Sequence, residues 1–201
     1  YVTANRFDFE APVSIGYSAG PEYNRYFKYW AHHDMEGAAA VVAEAEAQFE
    51  AVFGRRYPGL VDGYRVDDAD YVVVTLGSAA GIVRPAVDRW RDAGVRAGML
   101  RIRYMRPFPY GELAEALAGA KAVAVLERDV SFGAEGTVHT NVSSALHRAG
   151  LGVPTLGFIG GLGGDDITAA QVDRVLRRLR DGARGPVVSF LGIDDAEGGI
   201  A

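Results

Sequence analysis

Apolar positions fall into short unbroken runs separated by helical stripes, and that alternation predicts the fold. Residues 71–76, Tyr-Val-Val-Val-Thr-Leu, are a continuous apolar and β-branched run. The run is too short for a core helix and does not alternate, which predicts a strand covered on both faces. Gly77, Ser78 and Gly81 break it, and Ile82, Val83, Ala86, Val87 and Trp90 then recur at helical spacing up to Gly94. Pro85 fits that helix in its first turn and would kink it deeper inside. Strand, tight glycine turn and helix make the first half of a right-handed crossover.

The unit repeats. Residues 97–105 predict a second strand, in which Leu100, Ile102 and Tyr104 form a buried face and Arg101 and Arg103 a charged one. Arg106-Pro107-Phe108-Pro109 ends it. Leu113, Ala116 and Leu117 mark a short helix, and residues 120–126 a third strand. Glu127-Arg128-Asp129 and the loop 131–136 lead to a helix carrying Val138, Val142, Ala145 and Leu146, closed by Gly150. Residues 153–159 read as a fourth strand, followed by a glycine-rich loop over 160–166. Thr168 and Gln171 have capping-box spacing ahead of the stripe Val172, Val175, Leu176 and Leu179. Residues 187–193 predict a last edge strand. The alternation implies an α/β fold: an open, mainly parallel sheet with helices on both faces.

The first part of the chain reads differently. Residues 1–34 hold nine aromatics, with Pro12, Gly16, Gly20 and Pro21 and no sustained period. They are expected to form an extended N-terminal arm whose aromatics pack on another surface. Residues 35–69 are expected to be a linker helix and a polar connection. Asp34 caps that helix, and Ala38, Val41, Val42, Ala45, Phe49, Val52 and Phe53 keep one face apolar. The α/β domain then covers residues 70–193, with a frayed tail at 194–201.

Composition narrows the function. At 201 residues there is room for one good core with an appendage, and a net charge of −5 argues against nucleic acid as a partner. The absence of cysteine excludes disulfides and cysteine-ligated metal clusters in this chain. No run of about 18 apolar residues is present, so no membrane partner is expected and a cytoplasmic location is.

The candidate ligand or interface positions lie in the loops that follow the strands: Gly77, Ser78, Gly81, Arg106, Phe108, Arg128, Ser131, Gly133, Gly163 and Gly164. In a parallel sheet these loops share one edge, where α/β ligands bind. The first loop, however, is neither Gly-x-Gly-x-x-Gly nor a P-loop. His32, His33, His139 and His147 lack metal-ligand spacing, and neither Ser78 nor Ser131 sits in a nucleophile elbow. Asp165-Asp166 reads as charge at a helix N-terminus. No catalytic residue, metal ligand or bound cofactor is assigned to this chain.

Six stretches carry a resemblance: residues 53–57, 68–81, 106–109, 122–128, 131–136 and 161–164. In their order and spacing the chain resembles the C-terminal part of the alpha subunit of pyruvate and other 2-oxoacid:ferredoxin oxidoreductases. The resemblance implies a transketolase C-terminal-like domain. For the whole enzyme it implies oxidative decarboxylation of a 2-oxoacid to an acyl-coenzyme A with reduction of ferredoxin. It also implies thiamine diphosphate, magnesium, iron–sulfur clusters and coenzyme A, with the thiamine held by other domains and this domain supporting assembly. The implied partners are those other domains or subunits, in a homo- or hetero-oligomer, and ferredoxin. Asp165 stands where the family pattern has Arg, which takes a cationic contact away from that loop. The C-terminal domain of 2-oxoacid dehydrogenase beta-type proteins has a similar layout. The alternative from another class is a free-standing α/β module that binds a phosphate or nucleotide at the glycine-loop edge.

Overall fold

A computed structural model describes residues 8–12, 16, 18–182 and 187–193. The expected tail at 194–201, and residues 1–7, 13–15 and 17 of the expected arm, lie outside the described residues. The chain divides into two units, Tyr1–Ala38 and Ala39–Ala201.

The second unit is built on one six-stranded sheet in the order β1-β3-β2-β4-β5-β6. β2 (Tyr71–Leu76) lies inside it, between β3 (Ala97–Ile102) and β4 (Ala122–Glu127), and is parallel to both. That position explains its composition, since a strand walled by helices on both faces carries apolar side chains at successive positions. Val72, Val73, Val74 and Thr75 are fully buried, and Thr75 Oγ1 donates to the Leu126 carbonyl at 2.9 Å. β5 (Thr155–Ile159) and the edge strand β6 (Val188–Phe190) continue the parallel order.

Alternate residues of β2, β3 and β4 enter two separate cores. On one face Val73, Met99, Ala124, Leu126, Leu156 and Phe158 meet α2 (Ala80–Asp92) and α5 (Ala169–Arg180). On the other Val72, Val74, Leu100, Ile102, Val123 and Val125 meet α3 (Tyr110–Leu117) and α4 (Thr137–Arg148). The expected fold class, an open, mainly parallel sheet with helices on both faces, is the one observed. Asp173 of α5 ties the first layer together by accepting from Trp90 Nε1 at 2.9 Å and pairing with Arg89 at 3.0 Å.

Three expectations are corrected. Residues 21–34 are not an extended arm: they are the start of α1, a 33-residue helix over Pro21–Phe53. Pro21 is its first residue, where a missing N–H costs nothing and the fixed φ suits the helix. Asp34 therefore lies inside the helix and caps nothing. Second, the polar connection contains a strand, β1 (Val61–Tyr64), antiparallel to β3 with Val61 opposite Ile102. Third, the charged side of the second strand does not face outward for a partner. Arg101 pairs with Asp62 of β1 at 3.0 Å, and Arg103 bonds Glu46 and the Gly59 carbonyl. Pro85 sits in the second turn of α2, past the place where its missing N–H would be free of cost.

Candidate functional site

The connection β2–α2–β3 places β3 on one side of β2, and the connection β3–α3–β4 crosses to the other side. α2 and α3 lie on opposite faces. The chain therefore reverses direction between β2 and β4, and in open α/β sheets the crevice outside such a reversal is where ligands and partners are received. A crevice of ≈ 300 Å³ lies there. Leu76, Gly77, Ser78 and Ala79 line one side, and Leu126, Glu127, Arg128, Asp129 and Val138 the other.

Local chemistry shapes both walls. On the β2 side Gly77 adopts φ +60, a left-handed value that favours glycine, and opens a 3-10 turn, Gly77–Ala79, that runs into α2. On the β4 side Glu127 is only 2% exposed, and its carboxylate caps α4. Val138 N–H donates to Oε2 at 2.8 Å and His139 N–H to Oε1 at 2.9 Å. Burial pushes this carboxyl above the usual range, against the pull of the two amides. A Cβ on Gly136 would meet Glu127 Oε1 at 2.0 Å, so only glycine lets the chain pass over the carboxylate.

Beyond this wall, His139 is buried with both ring nitrogens engaged. Nδ1 lies 2.8 Å from Glu135 Oε2, and Nε2 lies 3.4 Å from the Thr155 carbonyl oxygen. Gly157 makes room for the ring, since a Cβ there would sit 3.3 Å from His139 Cγ. Thr137 Oγ1 donates to Asp129 Oδ2 at 2.6 Å. The loop 131–136 is thus fastened at its C-terminal end by Glu127, Asp129 and His139.

Of the positions singled out in the sequence, Gly77, Ser78 and Arg128 meet in the crevice. Ser131 and Gly133 belong to the adjoining loop. Gly163 and Gly164 lie in the turn after β5, both at positive φ. Arg128 reaches toward that turn: a Cβ on Gly161 would be 2.7 Å from its Nε. Gly81 is already in α2, Arg106 is exposed, and Phe108 is buried against Tyr110 at 4.9 Å between ring centroids. Sequence reasoning missed the capping role of Glu127, and read His139 as a histidine without metal-ligand spacing, which its two hydrogen bonds within the fold fit. An acid ending an all-apolar strand, with glycine ahead of the next helix, was the available signal for the first.

These residues do not fit the metal groups implied for the whole enzyme. Among the described residues no three His, Cys, Asp or Glu side chains converge as a metal site, and the chain supplies no cysteine for a cluster. No described helix is long and apolar enough to cross a membrane.

Fold and crevice define an α/β domain with a structured strand-end edge. The comparisons carry this further. The chain belongs to the family described as pyruvate:ferredoxin oxidoreductase core domain II, whose model matches residues 69–172. It is 35% identical over 181 residues to pyruvate synthase subunit PorA of Methanosarcina barkeri, covering 90% of this chain and 45% of that one. It is 35% identical over 173 residues to ketoisovalerate oxidoreductase subunit VorA of Pyrococcus abyssi, covering 86% and 44%. Among solved structures, 2-oxoglutarate:ferredoxin oxidoreductase from Magnetococcus marinus aligns over 68% of this chain and 21% of that one, with 21% identity and a TM-score of 0.44. The chain spans about half the length of the curated relatives it matches.

Proposed function

We propose that this chain is a non-catalytic assembly domain of the alpha subunit of a thiamine-diphosphate-dependent 2-oxoacid:ferredoxin oxidoreductase, with pyruvate as the 2-oxoacid. Thiamine diphosphate, magnesium, the iron–sulfur clusters and coenzyme A belong to the rest of that enzyme, and its other domains or subunits are this chain's partners. The observation that carries the reading is the surface of α1. Tyr23, Tyr26, Phe27, Tyr29 and Trp30 are each more than half exposed. Five large aromatics within eight residues of one helix are far more than a solvated surface retains. At just over half exposure each ring keeps roughly 100 Å² to bury, at about 25 cal/mol per Å², which favours a docked state. Their occupant is the part of the subunit that the longer relatives possess and this chain does not span. The crevice supports the non-catalytic half of the reading. Its one buried acid among the described lining residues, Glu127, already holds two amides.

The test is pyruvate-dependent reduction of a viologen dye by the purified 201-residue chain, supplied with thiamine diphosphate, magnesium and coenzyme A. No reduction is expected alone, and reduction is expected once the remaining parts of the enzyme are added. Turnover by the chain alone would overturn the proposal.

A further inference from the structure

α5 carries a charge pattern that the fold does not need. The chain has a net charge of −5, yet Arg174, Arg177, Arg178 and Arg180 cluster along this helix. Arg180 is accounted for locally: its Nε donates to Asp181 Oδ1 at 2.9 Å, and its Cζ lies 5.3 Å from the Trp90 ring centroid. The other three arginines line a concavity of ≈ 260 Å³, with Asp181. Arg174 and Arg177 stand three apart and Arg174 and Arg178 four apart, so like charges face one another across one turn, which costs a helix stability. The helix dipole favours cations in the last turn only. Arg177 and Arg178 are in that turn, and Arg174 is not. Asp181, the one carboxylate among the described lining residues, already takes Arg180. Asp173 is held elsewhere, by Arg89 and Trp90 of α2.

Part of the concavity is fixed in advance. Arg178 is half-buried, its Nη1 donates to Ser189 Oγ of β6, and its Cζ lies 5.3 Å from the Phe158 ring centroid. A guanidinium held by the sheet edge loses little freedom on binding. Arg174 and Arg177 are exposed, and Arg177 has no hydrogen-bond or ion-pair partner among the described residues.

The number of guanidiniums selects the ligand. A carboxylate has two oxygens, which one arginine fork takes up by itself. A phosphate monoester has three acceptor oxygens and a charge of about −1.5 to −2 at pH 7, which matches three arginines. We infer that Arg174, Arg177 and Arg178 form a binding site for the phosphate group of a small phosphorylated ligand. The site shares no lining residue with the crevice between β2 and β4 and stands apart from the role proposed above. Thiamine diphosphate chelated by magnesium is not such a ligand, because the metal and the thiazolium ring already balance its phosphate charge.

The test is titration calorimetry on the purified 201-residue chain at constant ionic strength, with inorganic phosphate, adenosine 5′-monophosphate and adenosine. Saturable binding of the two phosphates is expected, and none of adenosine. Equal affinities would mark free phosphate as the ligand and tighter nucleotide binding a phosphate ester; either result supports the shared chemistry. Arg177→Ala should weaken binding about tenfold or more, the worth of a charged hydrogen bond, and Arg177→Lys should keep part of it. Because Arg177 is exposed, the ligand-free melt of these variants should match that of the natural chain. Arg56→Ala removes the same charge from an exposed position outside the cluster and should leave binding unchanged. No saturation by either phosphate up to about 10 mM, tenfold above a 1 mM dissociation constant, would overturn the inference. So would binding that Arg177→Ala leaves unchanged, or that Arg56→Ala weakens as much.

Discussion

At the scale of single residues, Glu127 decides how the second half of the sheet edge is built. It lies at the last position of β4, below the surface, and takes the first amides of α4 as partners. Replacing it with Gln puts an NH₂ group where one of those amides needs an acceptor. Glu127→Gln should cost about 1–3 kcal/mol in urea unfolding. The pH dependence has a definite sign. Burial raises the folded-state carboxyl, so the native state keeps its proton to higher pH than the unfolded chain does. The contribution of Glu127 is fully present below the ordinary carboxylate value and is lost as pH rises through the raised one. Asp68, Asp70 and Asp88 behave oppositely. Hydrogen bonds from Arg91, Arg96 and Arg65 hold them low, so their contribution is present above the ordinary value and lost as pH falls through the lowered ones. Because the substitution removes the first effect alone, the margin of the natural chain over Glu127→Gln should shrink as pH rises above the ordinary carboxylate range. A margin that grows with pH would refute the assignment.

At the scale of elements, what was legible followed from local pattern. α5 carried its own punctuation, and the structure has the capping box: Thr168 Oγ1 accepts from Gln171 N–H at 3.3 Å, and Gln171 Oε1 accepts from Thr168 N–H at 2.8 Å. Thr168→Ala should lower stability by about 1 kcal/mol, read as a drop in melting temperature, and Thr168→Asn should restore most of it. β2 was legible because burial on both faces leaves only one kind of sequence. β1 was not. Its Asp62 and Gly63 look like a loop, and it becomes a strand through its register with β3 and through Arg84 and Arg101 on Asp62. The first turns of α1 were hidden by Gly20 and Pro21, which read as breakers but here mark a helix start. The site was legible as an edge and illegible as a network. Glu127 reaches its amides eleven and twelve residues away, and no short-range spacing announces that.

At the scale of the molecule, the two units carry different surfaces: a helix start rich in exposed aromatics, and a sheet domain whose polar groups are mostly satisfied within itself. The sheet domain keeps its charges at home. Asp70 takes both Arg96 at 2.6 Å and Lys121 at 3.2 Å, and Arg91 joins Asp68 to the Ala97 carbonyl. Among the described residues no three His, Cys, Asp or Glu side chains converge to hold a metal that would bridge a diphosphate. Thiamine diphosphate with magnesium should leave the melting temperature of the chain where it is, whereas a ligand at a hundred times its dissociation constant would add about 2.7 kcal/mol. A saturable upward shift with that pair would place cofactor chemistry in this chain and overturn its assignment to the rest of the enzyme.

The place of β2 in the strand order has a consequence for how the protein is made. Both partners of β2 come later in the chain: Tyr71 waits for Ala97 on one side and for Ala122 on the other. Translation runs at about 5–20 residues per second, so the second edge of β2 stays open on the nascent chain for about 3–10 s after the strand emerges. During that interval the three consecutive valines of β2 have neither their second neighbour nor all of their helical cover. Slow codons between β3 and β4 would lengthen this exposure, and the same codons after β4 would not.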